Sequence, residues 1–252
     1  MDPIDEILED ARARGIRPWI GLKERLARRV IEVARARGGV TLQGGAALHF
    51  VYGSPRLSAD VDFVGEAAGR RIADLGEELA SAAGDLLGRP CRWSIRQSGR
   101  LVRGKIQVDI DEARRLVLPV EAFEVPAHRP RAEPPAGTVE EPDEILADKA
   151  VASADRLARR GTLKTTDLYD LWYLRTRLDV REVDRRLVQA KMADYGLERH
   201  GQDLGAAVRA ISPEELRSAL TGVLPTAELE GLDAPGVIEA AASMLEALRD
   251  VL

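Results

Sequence analysis

The segment QGGAALHFVYGSPRLSADVDF, residues 43–63, combines a glycine pair with two aspartates that lie one residue apart. Gly44 and Gly45 lie between a short strand pattern and a helical pattern, and glycines allow backbone amides at a helix start to approach a phosphate. Asp60 and Asp62 lie in a strand pattern, and because side chains alternate along a strand, both carboxylates point to one face. Carboxylate oxygens are ligands that Mg²⁺ and Mn²⁺ prefer. The segment therefore predicts a site for a metal-bound phosphate compound.

A third carboxylate, Asp109, belongs to the strand pattern KIQVDI. Alternation places Ile106, Val108 and Ile110 in the core and Asp109 on the opposite face. We expect Asp109 to join Asp60 and Asp62 as third metal ligand or general base. Metal ions held in this way activate a hydroxyl and neutralise departing pyrophosphate in an in-line displacement. Each motif alone is common in ordinary turns and sheet edges, so the prediction depends on their order along the chain.

The element patterns divide the chain into two parts. Strand and helix patterns alternate through residues 1–136, which predicts a mixed α/β unit with a small mixed sheet. The segment PAHRPRAEPPAG (residues 126–137) carries four prolines and is expected to be a linker or an irregular loop. Residues 137–252 read as helices throughout, so we expect a C-terminal helical domain.

Composition limits the kinds of site and partner. The chain has 252 residues, a single cysteine and three histidines, which argues against a disulfide or a Cys/His zinc cage. No apolar run approaches the length of a membrane span and the N-terminus lacks a signal pattern, so we expect a cytoplasmic protein with no membrane partner. The formal net charge is -5, so any nucleic acid would need a local basic patch.

A basic stripe is expected on the first helix of the C-terminal part. At about 100° per residue, Lys149, Ser153, Arg156 and Arg160 lie on one side of this helix. A solvated helix edge would give the same pattern. The functional interpretation is a cationic wall, with Lys149 on a triphosphate and the two arginines on phosphates of an acceptor.

Two aspartates share a face of the next helix. Asp167 and Asp170 are three residues apart, and Asp167 alone is explained by helix capping or by the helix dipole. Asp170 has apolar neighbours and needs a partner if it is buried. An ion pair with Lys149 or Arg156, or a role in orienting an acceptor hydroxyl, would provide one.

These motifs together resemble the AbiEii/AbiGii group of type IV toxin–antitoxin nucleotidyltransferases, within the DNA polymerase beta-like superfamily. The group's G-G-x-x-L and R-x-S-x-D-x-D patterns are met by Gly44, Gly45, Leu48, Arg56, Ser58, Asp60 and Asp62. Its later helix lysine and D-L-x-D-L element are similar to Lys149 and to Asp167 with Asp170. The group commonly has Thr after the glycine pair, where this chain has Ala46, which affects nucleotide affinity rather than fold.

The resemblance implies a nucleotidyltransferase fold and transfer of a nucleoside monophosphate from a nucleoside triphosphate to a hydroxyl, with release of pyrophosphate. It further implies a bacterial toxin whose acceptor is an RNA such as a tRNA 3′ end, countered by an antitoxin encoded nearby. Arg56 would help to bind the triphosphate. Ser58 lies close enough to Asp60 that a phosphate added there would repel nucleotide.

Two other functions remain compatible with the sequence. In one alternative, the protein is a nucleotidyltransferase whose acceptor is a small molecule, such as an antibiotic. In the other, the chain is a noncatalytic module that binds a nucleotide or a partner protein, although such a module has little need of three acids and a lysine.

Overall fold

The computed structural model describes residues 2–133, 137–199 and 201–252, and these form two compact units. The first unit contains the residues up to Glu140 together with a return segment, Gly222–Ala227. The second unit contains Glu141–Thr221 and Glu228–Leu252. The return segment means that the first unit is built from two stretches of the chain.

The first unit is a mixed sheet with helices. Its described residues form four helices, α1 (Pro3–Ala13), α2 (Pro18–Arg37), α3 (Gly44–Phe50) and α4 (Ala68–Leu87). They also form seven strands, β1 (Thr41–Gln43), β2 (Val61–Val64), β3 (Cys91–Ser98), β4 (Leu101–Asp109), β5 (Arg115–Phe123), β6 (Pro130–Ala132) and β7 (Thr138–Glu140). The strand order is β3-β4-β5-β2-β1-β7-β6, with β2 parallel to β5 and antiparallel to β1.

The remaining elements are all helical. In chain order they are α5 (Pro142–Arg160), α6 (Thr165–Thr176), α7 (Arg185–Tyr195), α8 (Leu204–Arg209), α9 (Pro213–Leu220), α10 (Thr226–Glu230) and α11 (Ala234–Glu246). Within the second unit α11 packs against α6 and α8, while α5 packs against α7. No helix in the described ranges has the length and apolarity that crossing a bilayer requires.

One tryptophan fixes the outer strands of the sheet to α4. Trp93 on β3 lies between Gly76 on α4 and Gly104 on β4. A Cβ on Gly76 would lie 2.0 Å from the indole, and a Cβ on Gly104 would lie 1.8 Å from it. Ile106 and Val108 on β4 are buried on the same side of the sheet. α4 therefore covers this face around Trp93, whereas Ile95 further along β3 is 44% exposed. The alternate residues of β3 and β4 form the opposite, open face.

The structure differs from the sequence-based expectation most between residues 126 and 140. Residues 126–137 were expected to be a linker or an irregular loop and those after them to be helical, but β6 and β7 pair with each other and β7 pairs in parallel with β1. Residues 134–136 of the expected linker lie outside the described residues. Proline 130 begins a strand at the sheet edge, where a missing N–H is tolerated. Residues 138–140 consequently belong to the sheet and not to the helical part, and the sheet extends on both sides of β1 and β2.

Candidate functional site

The glycine pair and the second aspartate meet at the start of α3. β1 and β2 are paired so that Gln43 lies opposite Asp62, and Gly44 follows directly with a φ of 67°. A Cβ on Gly44 would lie 3.4 Å from Oδ2 of Asp62. The left-handed backbone therefore turns the chain beside the carboxylate without placing a side chain there.

The second glycine faces the loop that precedes β2. A Cβ on Gly45 would lie 2.6 Å from Nη2 of Arg56 and 3.0 Å from Oγ of Ser58. The Ser58 hydroxyl donates a 2.7 Å hydrogen bond to Oδ1 of Asp60. Arg56 and Ser58 are 95% buried, so this loop has a fixed arrangement. The structure thus brings together the six residues predicted from the first motif, namely Gly44, Gly45, Arg56, Ser58, Asp60 and Asp62.

Asp60 itself differs slightly from its predicted place. β2 begins at Val61, so Asp60 lies in the bend just before the strand and not within it. The hydrogen bond from Ser58 fixes its carboxylate instead of the strand pairing. Sequence alternation alone would not reveal this difference, because both arrangements place Asp60 and Asp62 near the strand's beginning.

The N-terminal helices support the Arg56–Ser58 loop. Leu57 is buried in an apolar cluster with Ala11 and Ile16, and Ile20 packs against this cluster. The amide of Leu57 also donates to the carbonyl of Val223 in the return segment, at 2.8 Å. Residues from two distant parts of the chain therefore position the loop.

α2 is also joined to α3 by a buried carboxylate. Nε2 of His49 lies 3.2 Å from Oε1 of Glu24, and Arg14 donates a 2.6 Å hydrogen bond to Oε2. Burial raises the pKa of Glu24, but the hydrogen bonds from His49 and Arg14 outweigh it and lower that pKa to about 2. The carboxylate thus stays charged and holds α2 beside the helix that starts at the glycine pair.

Lys23 on α2 is a further candidate for the site that the sequence analysis missed. It lies on α2 between Ile20, which packs against the Leu57 cluster, and Glu24, which contacts His49. These two contacts fix the helix turn that carries Lys23. Burial lowers the pKa of Lys23, while the charge of Asp60 acts in the opposite direction. Within the part of the chain that the structure describes, Lys23 makes no ion pair or hydrogen bond. The only sequence signal was a single lysine among the arginines of α2.

Asp109 does not join Asp60 and Asp62. It lies opposite Arg115 at the end of β4, and Arg92 and Arg115 donate hydrogen bonds of 2.7 Å and 2.6 Å to it. These bonds lower the pKa of Asp109, Arg115 having the larger effect. The residue of β4 in the same cross-strand row as Asp62 is Arg103, and Asp109 is six residues further along, roughly 20 Å at the rise of a strand.

Glu121 takes the position that was predicted for Asp109. It lies on β5 directly beside Asp62 of β2 in the parallel register, and it accepts a 3.1 Å hydrogen bond from Arg103. Glu121 is the single acid within the alternating pattern RLVLPVEAF. An acid in a predicted strand was therefore a sequence signal for a further site carboxylate. The wrong choice arose because alternation predicts the face of a residue but not the strand that pairs with it.

Asp60 and Asp62 are the acids available as ligands for the predicted metal. In the described residues, no group of three or more acidic, histidine or cysteine side chains is close enough to hold an ion by itself. Asp60 and Asp62 nevertheless supply hard oxygen donors beside an open glycine turn. Mg²⁺ commonly uses one or two protein carboxylates and takes its other ligands from water and substrate phosphate, so this donor set is suitable.

The residues predicted in the helical part form a cluster within the second unit. Nζ of Lys149 lies 2.9 Å from Oδ1 of Asp167 and 2.6 Å from Oδ2 of Asp170. Asp170 is fully buried, while Lys149 and Asp167 are more than 90% buried. The expected partner of Asp170 is therefore Lys149. Asp167 also pairs with Lys149, so helix capping does not account for it.

The basic stripe of α5 is not uniform. Lys149 and Ser153 are buried, Arg156 is half-buried and Arg160 is exposed. The lysine is thus held in a salt-bridge cluster while the two arginines are nearer to solvent. Their roles toward an acceptor stay predictions.

Two solved structures share this fold. One is a candidate nucleotidyltransferase from H. pylori, with a TM-score of 0.55, 17% identity and coverage of 90% of this chain and 93% of that chain. The other is JHP933 from Helicobacter pylori, with a TM-score of 0.53, 17% identity and coverage of 96% and 93%. At this identity the likeness establishes the fold. No curated protein matches the sequence.

A family profile covers most of the chain. The profile described as nucleotidyl transferase AbiEii toxin, type IV TA system, matches residues 25–250. The match includes the glycine pair, Asp60, Asp62 and the Lys149 cluster. Together with the mixed sheet, it confirms the predicted resemblance and fold class. The chain belongs to the AbiEii family of nucleotidyltransferase toxins from type IV toxin–antitoxin systems.

Proposed function

We propose that this protein transfers a nucleoside monophosphate from a nucleoside triphosphate to a hydroxyl group of an RNA, with the 3′ end of a tRNA as the specific expectation. The observation that carries the proposal is the convergence of Gly44, Gly45, Arg56, Ser58, Asp60 and Asp62 on one open turn in the first unit. Family membership supports both the reaction class and an antitoxin partner.

The nucleotide would be bound by cationic side chains and, through a metal ion, by two carboxylates. Arg56 is positioned by the loop and would contact phosphate oxygens, and Gly45 has no side chain that would displace its guanidinium. Lys23 would add a second positive charge near Asp60. Asp60 and Asp62 would hold Mg²⁺ or Mn²⁺, which when bound neutralises phosphate charge and lowers the pKa of the attacking hydroxyl.

The reaction conserves atoms and charge. The acceptor oxygen forms a bond to the α-phosphorus while the bond from that phosphorus to the bridging oxygen breaks, and pyrophosphate leaves with the electron pair. A carboxylate takes the hydroxyl proton, and Glu121, beside Asp62, is our candidate for this role. Lys149 on the triphosphate and Asp170 as an orienting residue remain family-based proposals.

Ser58 is proposed as a point of control. Its hydroxyl donates to Asp60, so a phosphoryl group on Ser58 would remove this hydrogen bond and place negative charge beside two carboxylates. Because Ser58 is 95% buried, modification would need the Arg56–Ser58 loop to open. Mass spectrometry of the protein coexpressed with its neighbouring gene tests this proposal, and a silenced protein with unmodified Ser58 contradicts it.

Label transfer tests the main proposal. The protein is incubated with Mg²⁺, total RNA and each nucleoside triphosphate labelled at the α-phosphate, and RNA is separated by gel. We expect RNA labelling that Asp62→Ala reduces at least about 1000-fold, while Asp111→Ala on the β4–β5 turn remains active. Labelling of a small molecule alone supports the antibiotic-type alternative. Nucleotide binding by calorimetry without turnover on any acceptor supports the noncatalytic alternative.

A further inference from the structure

The open face of β3, β4 and β5 carries five positively charged side chains, and none of them belongs to the proposed nucleotide site. We call this surface the basic sheet face; its cations are Arg92, Arg96, Arg103, Lys105 and Arg115, and its acids are Asp109 and Glu121. All five cations are exposed. α4 packs against the opposite, apolar face, so the excess of positive charge lies on the side that this helix leaves open.

Strand register connects this face to the acids. Arg96 of β3 pairs with Arg103 of β4, Arg103 pairs with Glu121 of β5, and Glu121 pairs with Asp62 of β2. At about 4.8 Å between neighbouring strands, the row from Arg96 to Asp62 is roughly 14 Å long. Lys105 lies on the same face two residues from Arg103. The first cation of this row, Arg103, therefore lies one strand from Glu121 and two strands from Asp62, and the basic surface leads away from both acids.

Two arginines of this face lie opposite each other on neighbouring strands. Arg96 and Arg103 are directly opposite each other, and like charges at opposite positions of antiparallel strands destabilise the pair. Arg103 is paired with Glu121, but Arg96 and Lys105 make no ion pair within the described ranges. An external anion would relieve this repulsion.

We propose that the basic sheet face binds the sugar-phosphate backbone of the acceptor RNA and directs its 3′ end to Asp60 and Asp62. This inference rests on the proposed function, because it assigns the path of the acceptor to that same site. RNA fits the outer part of this face better than a protein partner, since the exposed side chains of β3 there are charged or hydroxylic, with Ser94 between Arg92 and Arg96 and Ser98 after them. The apolar residues of the same face, Val117, Pro119 and Phe123, lie on β5 and are half-buried. A protein interface would need an apolar centre.

The contacts would be largely independent of base sequence. Arginine and lysine bind phosphates mainly through charge and fix the register of the nucleic acid, so affinity should fall steeply with salt. The protein's net charge of -5 makes such a local surface necessary for any RNA encounter. Arg156 and Arg160 of α5, predicted from the sequence as acceptor contacts, are the competing surface.

Binding to a labelled RNA tests the inference. The probe is a fluorescein-labelled hairpin of mixed sequence with a single-stranded 3′ end, and fluorescence anisotropy is measured at several salt concentrations without nucleotide or metal. We expect the double variant Arg96→Glu/Lys105→Glu to bind at least about tenfold more weakly. The slope of log affinity against log salt should fall by about two, because two phosphate contacts are removed.

Matched variants separate this effect from net charge. Arg25→Glu/Arg70→Glu makes the same change in charge on exposed residues of α2 and α4, and it should bind RNA as the wild type does. The inference is overturned if the sheet variant keeps wild-type affinity and salt slope, or if Arg156→Glu/Arg160→Glu alone abolishes binding. It is also overturned if the control pair weakens binding equally.

The test distinguishes this inference from the proposed function. Wild-type transfer to RNA combined with unchanged binding by the sheet variant refutes the inference and leaves the function standing. Binding that depends on Arg96 and Lys105, without transfer to any acceptor by the wild type, refutes the function while the surface assignment holds.

Discussion

The two units contain clusters of charged residues with opposite properties. In the first unit, Gly44 and Gly45 keep side-chain atoms away from Arg56, Ser58 and Asp62, and the cluster opens on a turn. In the second unit, Lys149 is enclosed between Asp167 and Asp170 at 2.9 Å and 2.6 Å, and Asp170 is fully buried. The first arrangement leaves Asp60 and Asp62 half-exposed beside two glycines, whereas the second encloses one lysine between two buried carboxylates.

The buried cluster of the second unit and the half-exposed acids of the first unit should respond differently to substitution. A buried ion pair contributes little net stability because desolvation offsets its attraction, yet breaking it leaves an uncompensated charge. An open cluster is less costly to desolvate and can exchange water for phosphate. Substitutions in the closed cluster should therefore affect folding first, and those in the open cluster should affect nucleotide use first.

Removal of one acid from the closed cluster should have the largest effect on stability. We expect Asp170→Ala to lower the free energy of unfolding by about 3–5 kcal/mol, since Lys149 then loses its closest carboxylate. Urea unfolding measures this. Asp155→Ala removes a partly exposed ion pair with Arg159 on α5 and should cost no more than about 1 kcal/mol. Equal losses in the two variants would mean that the burial of Asp170 has no special cost.

Glu121 and Asp109 provide a comparison within the first unit. We expect Glu121→Gln to lower kcat/KM about 100-fold if it accepts the hydroxyl proton, in the range of general-base contributions. Asp109→Asn should stay within about twofold of the wild type, because Arg92 and Arg115 hold that side chain roughly 20 Å along the strand. Transfer kinetics and circular dichroism check both variants. The reverse ranking would restore Asp109 as the third acid.

The open turn should be sensitive to a single methyl group. The new Cβ of Gly45→Ala would lie 2.6 Å from Nη2 of Arg56, so the guanidinium must move. We expect nucleotide affinity to fall about 30-fold, the loss of a charge-assisted phosphate contact, with a thermal midpoint close to that of the wild type. Arg56→Ala should show a similar loss.

A double-mutant cycle of these two substitutions checks the mechanism. If the methyl group acts by displacing Arg56, the double variant is no worse than the single ones. Additive losses would mean that Gly45 contributes independently of the arginine.

Lys23 should have the smallest of these effects. We expect Lys23→Met to raise the Kd for nucleotide about tenfold, because a half-buried cation near Asp60 is removed while its apolar stem is largely retained. Calorimetric titration measures the change, and Arg25→Met, two residues further along α2, is the matched control. Unchanged affinity for Lys23→Met would remove this lysine from the open cluster.

Much of the fold was accessible from local patterns. Helices such as α1 and α4 follow the apolar period of 3.6 residues. The side chain of Asp2 accepts a hydrogen bond from the amide of Ile4 at the start of α1, and Gly88 ends α4 at a φ of 62°. The strands around Val61, Ile106 and Leu118 follow the period of two. β6 and β7 were missed because they are short, and short elements derive their stability from packing rather than propensity.

The sequence by itself determined the chemistry at residues 43–63, because the glycine pair, Arg56, Ser58 and the two aspartates are close along the chain. Their contacts across one turn required only a short loop between β1 and β2. Tertiary structure decided which acid accompanies Asp62. Asp109 and Glu121 have equivalent local patterns, and only the parallel pairing of β2 with β5 places Glu121 beside it. Pairing between distant strands depends on the whole sheet, so a local period predicts the face of a side chain but not its neighbour.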